Sequence, residues 1–114
     1  MIADRYAEAR ASLEHSILET HGDSQPTLRR DIESHAAGLS GLARKPGSHL
    51  PSDLVPYIEK VAKHAYKTTD EDLQRLRDVG YSEDAIFEAT LSAALGAAIA
   101  RYERGRAALS EGRS

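Results

Sequence analysis

Apolar side chains recur every three or four residues along most of this chain, and this periodicity constrains the fold more than any other feature of the sequence. The pattern predicts five helices, over residues 2–20, 25–42, 54–66, 70–79 and 83–109. No stretch alternates apolar and polar residues as a half-buried strand does. Alanine, leucine, glutamate and arginine dominate, while the chain has no tryptophan and one phenylalanine. We therefore predict an all-α fold, a helical bundle of about five helices.

Residues that begin or end helices stand at the boundaries of these segments. Ser24 is placed to cap the second helix, and Ser52 or Asp53 is placed to cap the third. Thr69 and Asp72 have the spacing of a capping box at the start of the fourth helix. In the turn that follows, we predict Gly80 in the left-handed conformation and Ser82 as the cap of the fifth helix. Glycine and serine are residue types that these two positions favour.

The periodicity also predicts which helix faces are buried. The second helix should bury an apolar edge and turn its charged side chains to water, namely Arg29, Arg30, Asp31 and Glu33. The fifth helix should bury a row of mostly small side chains, namely Ile86, Phe87, Thr90, Ala93, Ala94, Ala97 and Ala98. Small side chains let a neighbouring helix approach closely, in the same chain or in a second copy.

The chain is the size of one domain, which we place at residues 1–114. A helical pair (1–42) precedes a linker (43–51) that is rich in helix-stopping residues, and the remaining helices (52–109) are followed by a short tail (110–114). A domain of this size buries a modest core, so oligomerisation would add stability.

The composition excludes several function classes. The chain has no cysteine, which removes disulfides, thiolate metal sites and every thiol-based mechanism. Its net charge of −3 gives no attraction to nucleic acid or anionic membranes. The charged start and the lack of a long apolar run favour a cytoplasmic protein with no membrane partner.

The run from Leu76 to Gly105, LRDVGYSEDAIFEATLSAALGAAIARYERG, resembles the helical unit of the alkylhydroperoxidase D family, which includes carboxymuconolactone decarboxylases. The resemblance covers residues 50–109, and its most specific part is 76–89. It implies an alkylhydroperoxidase D-like helical hairpin in the C-terminal half of the fold and a tendency to form symmetric homo-oligomers.

The catalytic residues of that family are missing. Its peroxidases carry a Cys-x-x-Cys pair followed by a histidine upstream of the turn glycine, and the positions that match this motif are Ala65, Thr68 and Asp72. A threonine hydroxyl is far too basic to replace a thiolate without an activating base. Thiol peroxidase activity is therefore not expected.

His64 and Glu59 are the candidate catalytic residues, because His64 borders the matching positions and either side chain could move a proton. The simpler interpretation is that His64 lies on a solvated or interfacial helix face. Glu59 with His64, or the acidic run 70–72, could be read as a metal site, but first-turn helix residues explain that run better. The other histidines are dispersed, at His15, His21, His35 and His49. We expect no metal and no cofactor.

Two functional hypotheses follow. The first is a non-catalytic alkylhydroperoxidase D-like protein that acts as an oligomeric scaffold or binding module, with a protein or a small acidic ligand as possible partner. The second is a cysteine-independent decarboxylase-like lyase for a small acidic substrate held by cations, of which the candidates are Lys60, Lys63, Lys67 and Arg101. A DNA-reading role for residues 83–98 is disfavoured, because acidic side chains lead that helix.

Overall fold

The computed structural model describes residues 2–42 and 50–111, and every regular element in those residues is helical. The elements are α1 (Ile2–Glu14), continued by a π-helical turn (His15–Glu19), α2 (Pro26–Leu39), α3 (Val55–His64), continued by a 3₁₀ turn (Ala65–Lys67), α4 (Asp70–Asp78) and α5 (Glu83–Glu111). The predicted all-α bundle of five helices is confirmed. Most of the predicted linker, with His49, and the last three tail residues lie outside the described residues.

Helix α5 is the longest element, and α2 runs parallel to it. The 29 residues of α5 extend about 43 Å, and the protein measures 52 × 27 × 25 Å. At the start of α2, the Ser24 hydroxyl donates a hydrogen bond to Glu88 (2.5 Å). Beyond its end, the Ser40 carbonyl accepts one from Arg104 (3.1 Å). The two helices therefore lie side by side over most of their shared length.

Helix α3 also runs parallel to α5, whereas α1 and α4 run in the opposite direction. The Arg101 guanidinium donates to the carbonyl of Ala62, near the C-terminal end of α3 (2.6 Å). On the other side, Tyr6 of α1 stacks on Tyr102, with ring centroids 4.1 Å apart. The connection between α4 and α5 is the tight turn at Gly80, whose φ is +110°. The predicted left-handed glycine is thus confirmed.

The closest helix contact in the core is between α2 and α5. A Cβ atom built on Gly96 would overlap the backbone carbonyl oxygen of Glu33, so only glycine allows the two helices to approach this closely. Around this contact lies one main cluster of buried side chains, which includes Ile32, Ala36, Leu54, Ile58, Val61, Leu76, Ile86, Ala89, Ala93 and Ala97.

The predicted caps at the α4 and α5 boundaries are confirmed, and those of α2 and α3 are wrong. Thr69 and Asp72 form a complete capping box, and the Ser82 hydroxyl accepts the Ala85 N–H (3.0 Å). Gln25 precedes α2 without a side-chain cap, because the hydroxyl of Ser24 is bound to α5 instead. Helix α3 likewise begins after Leu54, with no side-chain cap.

The prediction that the charged side chains of α2 face water is also wrong at two positions. Arg29 and Glu33 were expected in water, but they are 2% and 4% exposed. The Arg29 guanidinium donates hydrogen bonds to carbonyls at the end of the first helix, at Ile17 (2.8 Å) and Thr20 (2.5 Å). Helical periodicity alone misses this burial, because the segment that Arg29 binds comes from a different part of the chain.

The buried face of α5 differs from the predicted one. Phe87, Ala94 and Ala98 are exposed, whereas Ala89, Ser92, Leu95, Ile99 and Ala100 are buried. The helix also continues through Ser110 and Glu111, which were assigned to the tail.

Candidate functional site

The three positions that the expected resemblance places at a redox motif hold residues that end one helix and begin the next. Ala65 starts the 3₁₀ turn after α3. The Thr68 hydroxyl donates to the Ala65 carbonyl (2.8 Å). The Asp72 carboxylate accepts the Thr69 N–H (2.9 Å) and pairs with Lys60 (2.9 Å). Thr68 and Asp72 therefore use their side chains in contacts within the fold.

The two candidate catalytic residues are not brought together. His64 is exposed at the end of α3, and its ring lies edge-on to Tyr66 with centroids 6.0 Å apart. Within the described residues no hydrogen bond or ion pair joins His64 to Glu59. Glu59 Oε1 lies instead 3.9 Å from Nε2 of His35 on α2, beyond hydrogen-bond distance. His64 lines none of the four main cavities among the described residues.

The cations proposed to hold an acidic substrate do not converge either. Lys60 is engaged by Asp72, and Arg101 is engaged by the Ala62 carbonyl at the end of α3. Lys63 and Lys67 are exposed, and Lys67 lies over the ring of Tyr66. The described residues therefore provide no shared cationic pocket near His64.

A cleft with a volume of about 360 Å³ lies beside the Gly80 turn. Its walls are apolar side chains of α2, α3 and α5, and its polar rim consists of Asp23, Ser24, Tyr81 and Ser82. The Ser82 hydroxyl donates to Asp23 (2.9 Å), so these two rim groups are bonded to each other. Asp23 is the charged residue of the lining, which disfavours an acidic ligand in this cleft.

Two groups near this cleft have shifted pKa values. Burial and a 2.8 Å hydrogen bond from its hydroxyl to Asp53 raise the pKa of Tyr81 to about 12. Burial raises the pKa of Glu88, but hydrogen bonds from Ser24 and the Asp23 N–H outweigh it, so that this pKa lies below its ordinary value. Both shifts follow from contacts within the fold, because Tyr81 joins the Gly80 turn to the turn before α3 and Glu88 joins α5 to the loop before α2.

The second feature of interest is an apolar row on the side of α5 that faces away from α2. We call it the outer face of α5, and its members are Phe87, Leu91, Ala94, Ala98, Tyr102, Gly105 and Leu109. They are spaced by three or four residues, so they lie along one side of the helix. All are exposed except Leu91, which is half-buried. Phe87 is 63% exposed and Leu109 is 68% exposed.

The outer face continues into a groove between α5 and α1. This groove has a volume of about 250 Å³, and its walls include Leu13, Ala98 and Tyr102. Leu13 is 50% exposed. The periodicity predicted Phe87, Ala94 and Ala98 in the core, but all three are exposed. The sequence does contain a second row of apolar residues with helical spacing on the opposite side of α5, which indicates two apolar faces but not which of them is buried.

Comparisons with protein-family models, with curated proteins and with solved structures find no match for this chain. Within residues 2–42 and 50–111, no three histidine, aspartate or glutamate side chains are grouped as a metal site would require. None of the described helices is both long enough and apolar enough to cross a membrane.

Proposed function

We propose that this protein is a non-catalytic assembly module, an alkylhydroperoxidase D-like helical protein that functions as a homo-oligomer through the outer face of α5. The observation that carries the proposal is that α5 has apolar rows on two opposite sides, and that within the described residues the outer row is covered only in part, where α1 contacts it at Tyr102. A side of a helix that carries an apolar row is normally buried against another surface. A second protein surface is the natural cover for the other side.

The size of the exposed surface agrees with this role. Phe87 and Tyr102 are 63% and 42% exposed, and Leu13 and Leu109 are 50% and 68% exposed. Since an aromatic side chain buries on the order of 150–250 Å², the exposed parts of Phe87 and Tyr102 offer roughly 200 Å² together, and the two leucines add to this area. A stable interface needs about 800 Å² per partner. Leu91, the small residues of the outer face and a polar rim can supply the remainder.

The contacts made by the residues at the motif-matching positions support a non-catalytic role. The side chains of Thr68 and Asp72 form hydrogen bonds with the backbone of the fold. Neither side chain replaces a thiolate as a nucleophile. The lyase hypothesis gains no specific support, because His64 and Glu59 are apart and the candidate cations do not converge.

Sedimentation velocity at micromolar concentration tests the proposal. The wild type should sediment as an oligomer, and Phe87→Asp should shift it to monomer, because a carboxylate buried at an interface without a partner is strongly unfavourable. Tyr66→Asp is the matched control, since Tyr66 is 81% exposed and lies away from α5. It should sediment like the wild type. A monomeric wild type, or equal effects of the two substitutions, would contradict the proposal.

A further inference from the structure

We infer that the outer face of α5 pairs with the same face of a second copy in an antiparallel, two-fold arrangement centred at the level of Gly96. This inference rests on the proposed function and adds to it the partner, the helix direction and the register. Three independent properties of the outer face lead to it: the order of side-chain sizes, the open space at Gly105 and the placement of charge.

Along the outer face, large and small side chains follow one another in an order that fits the same face running in the opposite direction. Ala94 and Ala98 are equally far from residue 96, so an antiparallel copy places small against small at the centre. The helices can then approach closely. Phe87 and Gly105 are also equally far from residue 96, on opposite sides. The largest side chain of one copy therefore meets the position without a side chain in the other.

The structure provides the space that this register requires. A Cβ atom added to Gly105 would have nothing within 4 Å, so the surface above Gly105 is open. Phe87 is 63% exposed and projects from the same helix about 27 Å away, at 1.5 Å per residue over 18 residues. Two such pairs, one at each end, would form in a two-fold dimer because its contacts occur twice.

The charges determine the direction of pairing. Asp84 lies in the first turn of α5, and Arg106 lies near its other end with its side chain 53% exposed. An antiparallel pair brings Asp84 of one copy near Arg106 of the other and opposes the two helix dipoles favourably. A parallel pair would place Asp84 beside Asp84 and Arg106 beside Arg106, and like charges in contact are unfavourable.

Disulfide cross-linking tests the direction of helix pairing, because a chain without cysteine forms no disulfide of its own. We would prepare Asp84→Cys and Leu109→Cys as separate variants, oxidise each alone and then oxidise an equimolar mixture. The two positions lie on the same side of the outer face and are 25 residues apart, about 38 Å along the helix. Antiparallel pairing predicts a disulfide-linked dimer in the mixture and monomers in each single sample. Self-linking of either variant alone would overturn the direction.

Filling the space at Gly105 tests the register. Gly105→Leu should weaken association by about tenfold or more, because the added side chain occupies the place of the partner's Phe87. Gly38→Leu is the matched control, since Gly38 also lies exposed in a helix with nothing within 4 Å of an added Cβ. It should associate like the wild type. Equal association of all three proteins would overturn the register.

These outcomes separate the two proposals. A wild type that is monomeric by sedimentation removes both. An oligomer whose single-cysteine variants link to themselves, or which tolerates Gly105→Leu, removes the antiparallel register and leaves the assembly role in place.

Discussion

Arg29 holds the end of the first helical segment against α2. Its guanidinium is buried, and it donates hydrogen bonds to the carbonyls of Ile17 and Thr20, which a helix end leaves unpaired, and to the carbonyl of Ser24 in the loop before α2. A buried cation is costly unless such acceptors surround it. The side chain therefore links two helices through backbone groups.

Arg29→Met should lower the free energy of unfolding by about 3 kcal/mol, because three backbone acceptors lose a charged donor. Arg30→Met is the control. Arg30 is adjacent and exposed, and its ion pair with Glu19 is at the surface, so its replacement should cost less than about 1 kcal/mol. Urea unfolding followed by circular dichroism measures both. Equal losses would contradict the anchoring role of Arg29.

Glu88 gives the protein a pH-dependent contact between α5 and the loop before α2. Its pKa is lowered by hydrogen bonds from Ser24 and Asp23, despite burial. The contact therefore stabilises the fold above the ordinary carboxyl pKa and is lost as the pH falls through the lowered folded-state value. Glu88→Gln should cost about 2 kcal/mol at pH 7 and less at pH 3.

Urea unfolding between pH 3 and pH 7 measures this dependence. Glu8→Gln, on the exposed side of α1, should leave the wild-type profile unchanged. A Glu88→Gln protein whose stability falls with acid as steeply as that of the wild type would contradict the assignment.

Residues whose roles are local could be predicted from the sequence, and residues with distant partners could not. Thr69 and Asp72 cap their own helix, so their spacing was sufficient. Arg29 looks like a solvated charge on the polar side of α2, because its acceptors lie up to 12 residues earlier in the chain. The glutamate that binds Ser24 lies 64 residues later. No local pattern encodes either pairing.

At the scale of elements, the contact between α2 and α5 depends on Gly96. A Cβ atom there would overlap the Glu33 carbonyl oxygen, and backbone cannot move aside without separating the helices. Gly96→Ala should cost about 3 kcal/mol, although alanine favours a helix over glycine by about 1 kcal/mol.

Gly105→Ala is the control for helix preference, because the space around Gly105 is open. It should raise the stability of the single chain slightly. Thermal unfolding of both variants measures the contrast. A Gly96→Ala protein as stable as Gly105→Ala would contradict the close packing of α2 on α5.

The same helix shows why the sequence predicts α5 but not its buried face. The Ser82 cap, the acidic first turn and the alanine-rich run define a helix without reference to its surroundings. Phe87 and Ile86 are adjacent and both apolar, yet Ile86 is 5% exposed and Phe87 is 63% exposed. When both sides of a helix are apolar, periodicity does not indicate which side meets the core of its own chain. The candidate site was missed for this reason.

At the scale of the whole molecule, the described helices bury one side of α5 and leave much of its outer face exposed. Thr68 and Asp72 near His64 make contacts within the fold, the cleft beside Gly80 has Asp23 at its rim, and the outer face of α5 is an extended apolar surface. A contiguous exposed apolar surface on a small domain is the usual mark of an interface. Assembly through α5 is therefore the central claim.

The most direct test uses the fact that Phe87 is the only phenylalanine in the chain. Protein labelled with 4-fluorophenylalanine should give one ¹⁹F resonance, and its shift between H₂O and D₂O reports the exposure of that ring. We expect this solvent shift to decrease as protein concentration rises, because Phe87 becomes covered by a second copy. A shift that stays at the value of an exposed ring at every concentration would contradict assembly through the outer face of α5.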